Sequence, residues 1–173
     1  MRWILTLAVL FAAPKLTAQD FRPPEDEDKP PSSIRVGLFG FSSRVGVDFK
    51  GPTQPIVSLA VDVADLYTDR LRVRPSAEIG FGNGTDTYVA NVEVMYRFAG
   101  DSERAIPYVG LGLGLYGQPG CGPAPDCPKI WPQVVLGFEI RYTARMSWLL
   151  EYHGEDAFRR HRFFIGLATR RGG

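Results

Sequence analysis

The sequence predicts an all-β fold, an eight-stranded antiparallel up-and-down transmembrane β-barrel. Three observations lead to this prediction. Apolar and polar residues alternate with period two from residue 34 onward, turn signals divide the alternation into eight segments, and the connections between segments alternate in character. A chain of 173 residues with 45% hydrophobic content is long enough for one domain with a real core.

The first part of the chain has the features of an export signal. Arg2 precedes an apolar run and Ala18 is a small residue suited to cleavage, so residues 1–18 are expected to be a secretory signal peptide. Residues 19–33 combine proline pairs with acidic residues, a composition that predicts disorder. The barrel domain is expected over residues 34–171. Outside the signal peptide, basic and acidic residues nearly balance, which gives no support to nucleic-acid binding.

The eight segments are each close to or above the ~9–11 residues that a tilted strand needs to cross a bilayer. In chain order they cover residues 34–49, 56–67, 70–82, 87–98, 106–117, 133–143, 146–156 and 160–170. One face of most segments is apolar and the other carries charges of both signs. A soluble β-sandwich would turn the apolar faces inward, and periodicity alone does not separate it from a barrel. The length of the segments and the aromatic residues near their ends favour the membrane barrel.

The connections provide an expectation about orientation. Short ones follow the second, fourth and sixth segments, and mostly longer, irregular ones follow the other segments, above all the run QPGCGPAPDCPKIWP after the fifth. Outer-membrane barrels have short periplasmic turns and longer extracellular loops. The long connections are therefore expected outside the cell and both chain termini in the periplasm.

The fifth segment, IPYVGLGLGLYG, places glycine at alternate positions. Glycine weakens a strand, so its repetition on one face needs a reason. An eight-stranded barrel has an interior just wide enough for side chains. Gly110, Gly112 and Gly114 are expected to face inward and make room for arginines from other strands, and a strand curved by glycine kinks is the alternative reading.

The polar faces predict a charged interior. If the alternation holds, five acids and five arginines point inward, and pairing is expected because a buried charge persists only with a partner. These predicted interior charges are Asp62, Arg72, Arg74, Glu78, Glu93, Arg97, Glu139, Arg141, Glu151 and Arg162. A lumen filled in this way is expected to conduct few ions.

Other reactive residues are few. Cys121 and Cys127 lie in the longest connection of an exported chain and are expected to form a disulfide, because two cysteines without a nearby histidine leave a zinc site half built. Glu151 and His153 share a strand face and could activate a nucleophile, with His161 across the loop. Ser147, however, lies ~20 Å away along the strand. No catalytic, metal or cofactor site is therefore expected, and His153 is expected in the polar interior or at its rim.

The sequence resembles the small outer-membrane β-barrel family, the eight-stranded kind typified by the OmpA transmembrane domain and OmpX. The likeness rests on the signal peptide, residues 106–117, TDRLRVRPSAEIGFG at residues 68–82 and HRFFIGLATR at residues 161–170. It implies the bacterial outer membrane as location, with membrane lipid and the barrel assembly machinery as partners. That family commonly ends its last strand on an aromatic residue, whereas Arg170-Arg171-Gly172-Gly173 follows here.

A non-enzymatic role is expected from these observations, either structural, adhesive or in surface interaction, with no cofactor. Two alternatives remain at this point: a hydrolase acting on lipid A or phospholipid, and a small-solute channel. The sequence names no surface ligand.

Overall fold

The computed structural model describes residues 34–49, 53–82, 86–100, 102–119 and 128–169. The expected signal peptide, the expected disordered segment and the expected disulfide between Cys121 and Cys127 lie outside these residues. The described chain forms eight strands and no helix. Their bounds are β1 Arg35–Asp48, β2 Gln54–Asp65, β3 Leu71–Gly80, β4 Thr87–Arg97, β5 Ala105–Gly117, β6 Lys129–Arg141, β7 Met146–Glu155 and β8 Arg160–Thr169.

The strands close into a single barrel. Each strand pairs antiparallel with the next in sequence, and β1 pairs with β8 from Ser42↔Ala168 to Asp48↔Arg162. Closure satisfies the backbone hydrogen bonds that the edges of an open sheet would leave free, which is the condition for crossing hydrocarbon with strands. The predicted eight-stranded antiparallel up-and-down barrel is confirmed.

The faces of the barrel are the reverse of those in a soluble sandwich. Along β4, burial alternates strictly, with Glu93 and Asn91 buried and Val92 and Val94 exposed. The same pattern recurs around the barrel, so large apolar side chains cover the outside and polar ones fill the inside. Among the described residues, there is no helix of the length and apolarity needed to span a membrane.

Two sequence expectations about strand ends and connections differ from the structure. β6 begins at Lys129, not at residue 133, because Pro132 does not end the strand: it pairs with Leu113, and its carbonyl accepts the Asp156 N–H at 3.2 Å. The longest connection is therefore shorter than expected. The difference between the two ends of the barrel then depends mainly on residues 118–128, since the other connections are all short.

The glycine face of β5 does point inward, but arginines do not occupy the space. Register places Met95 opposite Gly110, Glu93 opposite Gly112 and Asn91 opposite Gly114. A Cβ added at Gly110 would overlap the Met95 sulfur, and one at Gly114 would meet the Asn91 amide oxygen at 2.5 Å. Side chains of the adjacent strand β4 fill the volume because they are the nearest neighbours on the same face.

Candidate functional site: the charged interior

The interior of the barrel is lined by ionisable side chains. All the predicted interior charges except Arg141 are buried, namely Asp62, Arg72, Arg74, Glu78, Glu93, Arg97, Glu139, Glu151 and Arg162. Arg141 is the exception because β6 ends at this residue. Its side chain is exposed, and its Nη2 donates to the Ser102 carbonyl in the neighbouring turn at 2.6 Å. The expectation that Arg141 belongs to the interior network is wrong.

Glu151 on β7 is at the centre of the network. Its carboxylate accepts hydrogen bonds from Arg44 on β1, from Arg74 on β3 at 2.7 Å and from the Tyr108 hydroxyl on β5 at 2.5 Å. His153 Nε2 is 3.1 Å from its second oxygen. Groups from β1, β3, β5 and β7 therefore meet at one carboxylate. Because these strands are distributed around the barrel, this Glu151 cluster crosses the lumen.

A second set of ion pairs fills the end of the barrel at the β2–β3 turn. The Asp62 carboxylate forms ion pairs with Arg74, whose Nε is 2.9 Å away, and with Arg72, whose Nη1 is 3.3 Å away. Asp65 binds Arg35 at 3.1 Å. Arg74 therefore links Asp62 to the Glu151 cluster, so these two sets of charges form one network instead of isolated pairs.

The two strands that flank β5 are joined at the same end of the barrel by Arg97 on β4 and Glu139 on β6. Nη2 of Arg97 lies 3.0 Å from Oε2 of Glu139, and both side chains are buried. The glycine-rich strand β5 separates β4 from β6 in the sheet, so the pair reaches across its inner face. The pair crosses β5 at Ile106 and Tyr108, and therefore not at its glycines.

The end of the barrel near the β7–β8 connection has its own cluster. Asp48 accepts hydrogen bonds from Arg160 and, at 3.1 Å, from Arg162. Arg162 also bonds Glu78 and lies 3.0 Å from Glu155. The Arg160 guanidinium is 5.0 Å and 5.2 Å from the ring centroids of Tyr116 and Trp131, which are stacked on each other. These aromatic rings close the lumen beside the cluster.

Sequence reasoning missed several members of the network. They are Arg44, Asp48, Asp65, Glu155 and Arg160, all buried. Even spacing along the first segment was a usable signal for Arg44 and Asp48. Alternation was a usable signal for Glu155 and Arg160 as well, because both lie inside the predicted seventh and eighth segments in the inward phase, although they also border a polar run typical of a connection.

The interior is acidic on balance. Among the described residues, eight buried carboxylates face six buried arginines and His153, so the expected five-to-five match does not hold. The excess lies around Glu93, which accepts a hydrogen bond from Gln133 at 2.8 Å and lies 3.9 Å from His153 Nδ1. His153 thus has a carboxylate near each ring nitrogen.

The residues considered for catalysis do not come together. His153 and Glu151 are hydrogen-bonded but fully enclosed, and Ser147 is buried six positions away on β7, about 20 Å at 3.3 Å per residue. His161 is on the outer surface, where its Nδ1 is 2.7 Å from the Tyr152 hydroxyl. Within the described parts of the chain, no group of three or more histidine, cysteine, aspartate or glutamate side chains is arranged to hold a metal ion.

Known structures share this architecture. The barrel is similar to Neisserial surface protein A (NspA), with a TM-score of 0.57 and 11% identity, over 82% of this chain and 99% of that one. It is also similar to the N-terminal β-barrel domain of Pseudomonas aeruginosa OprF, with a TM-score of 0.54 and 12% identity, over 77% of this chain and 98% of that domain. The chain has the fold of a small outer-membrane β-barrel.

The likeness of this barrel to NspA and OprF concerns fold, because identities of 11% and 12% carry no residue-level correspondence. No protein-family description matches the sequence, and no curated protein matches it. The family resemblance drawn from the sequence is thus supported by architecture. What the barrel does has to be argued from its own interior and surfaces.

Proposed function

We propose that this chain is a non-enzymatic protein of the bacterial outer membrane, with a filled interior and a structural, adhesive or surface-interaction role. The observation that carries the proposal is the Glu151 cluster, in which side chains from β1, β3, β5 and β7 meet across the lumen. A channel needs a continuous hydrated path, and small eight-stranded barrels have interiors that side chains can fill. The outer surface also supports the proposal, because large apolar side chains cover it, as contact with lipid requires.

The proposed location follows from the same surface together with the export signal expected at residues 1–18. Barrel insertion in that membrane involves the assembly machinery, which we propose as a partner during biogenesis. The strand ends that border residues 49–53, 81–86, 118–128 and 156–159 share one end of the barrel, and we propose that this end faces outward because it carries the longest connection in the sequence. Surface contacts would then be made by these connections.

The absence of enzymatic activity is part of the proposal. The best acid–base pair, Glu151 and His153, is enclosed in the barrel, where a lipid substrate has no access. Purified folded protein is expected to leave labelled lipopolysaccharide and phospholipid intact. Hydrolysis that is abolished by His153→Ala would contradict this expectation and establish a lipid-modifying enzyme.

Location and orientation are tested together by cell fractionation and surface proteolysis. Protease-recognition sites are inserted in the connections at residues 118–128 and 142–145, which lie at opposite ends of the barrel. The proposal predicts outer-membrane fractionation and cleavage by external protease only at the first site. Cleavage only at the second site would reverse the orientation, and recovery in the soluble fraction would refute the membrane location.

A further inference from the structure

The lipid-facing surface has a long apolar groove on one side of the barrel. It consists of two adjoining concavities on β6, β7, β8 and β1, with volumes of about 630 Å³ and 340 Å³. Both include Val45 and Ile165, so they are continuous with each other. The groove runs from Tyr152 to Met146 along β7, about 20 Å at 3.3 Å per residue. Its shape suits one extended hydrocarbon chain.

Backbone and outward apolar side chains together line the groove. Gly46, Gly137 and Gly166 contribute backbone, because their Cβ positions point into the barrel against interior side chains. Leu136 and Phe138 are among the outward apolar side chains that flank this backbone, since side chains alternate between the two faces of a strand. The groove is therefore a mainly apolar surface.

The end of the groove toward the β7–β8 connection is polar. Tyr152 lines the groove, and its hydroxyl is 2.7 Å from Nδ1 of the exposed His161. The two rings are stacked with centroids 5.9 Å apart, which fixes the imidazole beside the groove. Because Nδ1 is engaged by Tyr152, Nε2 is the ring nitrogen left for a ligand. Arg159, which is also exposed, lies in the β7–β8 connection immediately before β8.

We infer that this groove is a binding site for lipid A, with one acyl chain in the groove and a phosphate at His161. The inference rests on the proposed function, because it takes the loop end of the barrel to lie in the outer leaflet. There, the phosphate-bearing lipid is an acylated glycolipid. An apolar groove ending in basic, hydrogen-bonding side chains matches such a lipid in both shape and charge.

The chain offers matched controls for both halves of the site. Val45 is 54% exposed in the groove, and Val92 is 55% exposed on β4, away from it. Val45→Phe fills the groove, whereas Val92→Phe adds the same bulk to an ordinary lipid-facing position. For the polar end of the groove, His161→Ala is compared with Lys129→Ala. Lys129 is an exposed basic residue at the start of β6, at the same end of the barrel as His161.

Native mass spectrometry of the detergent-solubilised barrel with added lipid A is the test. We expect one lipid A to be retained, with about tenfold weaker retention in Val45→Phe and about three- to tenfold weaker retention in His161→Ala, since the net contribution of one hydrogen bond corresponds to roughly that factor. Val92→Phe and Lys129→Ala should behave as the unmodified chain. Phosphatidylglycerol should be retained about tenfold less than lipid A.

Several results would overturn the inference. Equal losses in Val45→Phe and Val92→Phe would show that the groove is not the site, and equal retention of phosphatidylglycerol would show that lipid A is not selected. Dimers that Val45→Phe disrupts would assign the groove to a second copy. Each variant is first checked for a shift in gel mobility on heating. A folded outer-membrane barrel that retains no lipid A refutes this inference alone, whereas a chain absent from the outer membrane refutes the proposed function.

Discussion

Replacing Glu151 with alanine is the perturbation that most directly affects the interior network. The substitution removes the acceptor shared by Arg44, Arg74 and Tyr108. The Arg44 side chain is fully buried and that of Arg74 is 4% exposed. Both guanidinium groups would therefore remain charged in a low-dielectric interior after losing a carboxylate partner.

The size of the effect follows from what each arginine keeps. Arg74 retains Asp62 at 2.9 Å, and Arg44 retains the Ser58 hydroxyl at 2.8 Å with Glu78 at 3.9 Å. These remaining partners limit the loss but leave Arg44 without a close carboxylate. Removing one partner of a buried pair costs about 3–5 kcal/mol, and we expect the free energy of unfolding to fall by that amount in Glu151→Ala.

Reversible urea unfolding in lipid vesicles, followed by tryptophan fluorescence, measures this change. The double variant Arg44→Met, Glu151→Leu should regain the part of the lost stability that comes from Arg44, because apolar side chains of similar volume can replace a buried pair at little net cost. Arg74 and Tyr108 still lack Glu151 in this variant. A loss below about 1 kcal/mol in Glu151→Ala, within the range of exposed pairs, would refute the reasoning. So would a double variant less stable than Glu151→Ala itself.

Three further outcomes are expected. Glu139→Ala should lower the free energy of unfolding by about 3–5 kcal/mol, because Arg97 loses a buried partner. Arg141→Ala, at the exposed rim, should lower it by less than about 1 kcal/mol. Equal urea midpoints for the two variants would contradict this expectation. Gly112→Ala should lower the free energy of unfolding more than Gly110→Ala does. The new Cβ at Gly112 meets the Val92 carbonyl, whereas the one at Gly110 meets the flexible Met95 side chain. The same urea titration measures both losses of stability. The two cysteines should resist alkylation until a reductant is added, and mass spectrometry showing labelling without reductant would exclude the disulfide.

The fold was predictable because strand pairing in a barrel follows chain order. Period two, eight segments and closure determine nearly the whole architecture once each strand pairs with the next. Strand ends were less predictable where local signals conflict with register. Pro132 is typical of a loop, yet it lies within β6, where its carbonyl accepts a hydrogen bond from the Asp156 N–H of the β7–β8 connection.

The interior was predictable in composition but not in partners. Alternation indicates which residues face inward, as for Asp62 and Glu93, but the partners of an interior side chain come from strands distant in sequence. Glu151 and Arg44 are separated by 107 positions, and no local pattern connects them. Arg141 shows a second limit of predicting the interior from alternation. The alternation in the sequence continues to this residue, but its side chain lies at the solvent-exposed rim of the barrel.

The groove on the outer face had no sequence signal. Its lining comes from β6, β7, β8 and β1, and only closure of the barrel brings β8 and β1 side by side. The pairing of Tyr152 with His161 likewise depends on the register between β7 and β8.

Conductance of the unmodified protein in a planar lipid bilayer tests the filled interior most directly. Protein whose folding has been verified by heat-dependent gel mobility should insert and give little or no steady current, because the Glu151 cluster and the Arg160–Tyr116–Trp131 stack occupy the lumen. A variant that shortens two lumen-crossing side chains, Arg44→Ala with Arg74→Ala, serves as the comparison, and it should pass more current wherever it remains folded. Stable, ion-selective channels from the unmodified protein would contradict the filled interior and make a small-solute channel the better description of the barrel.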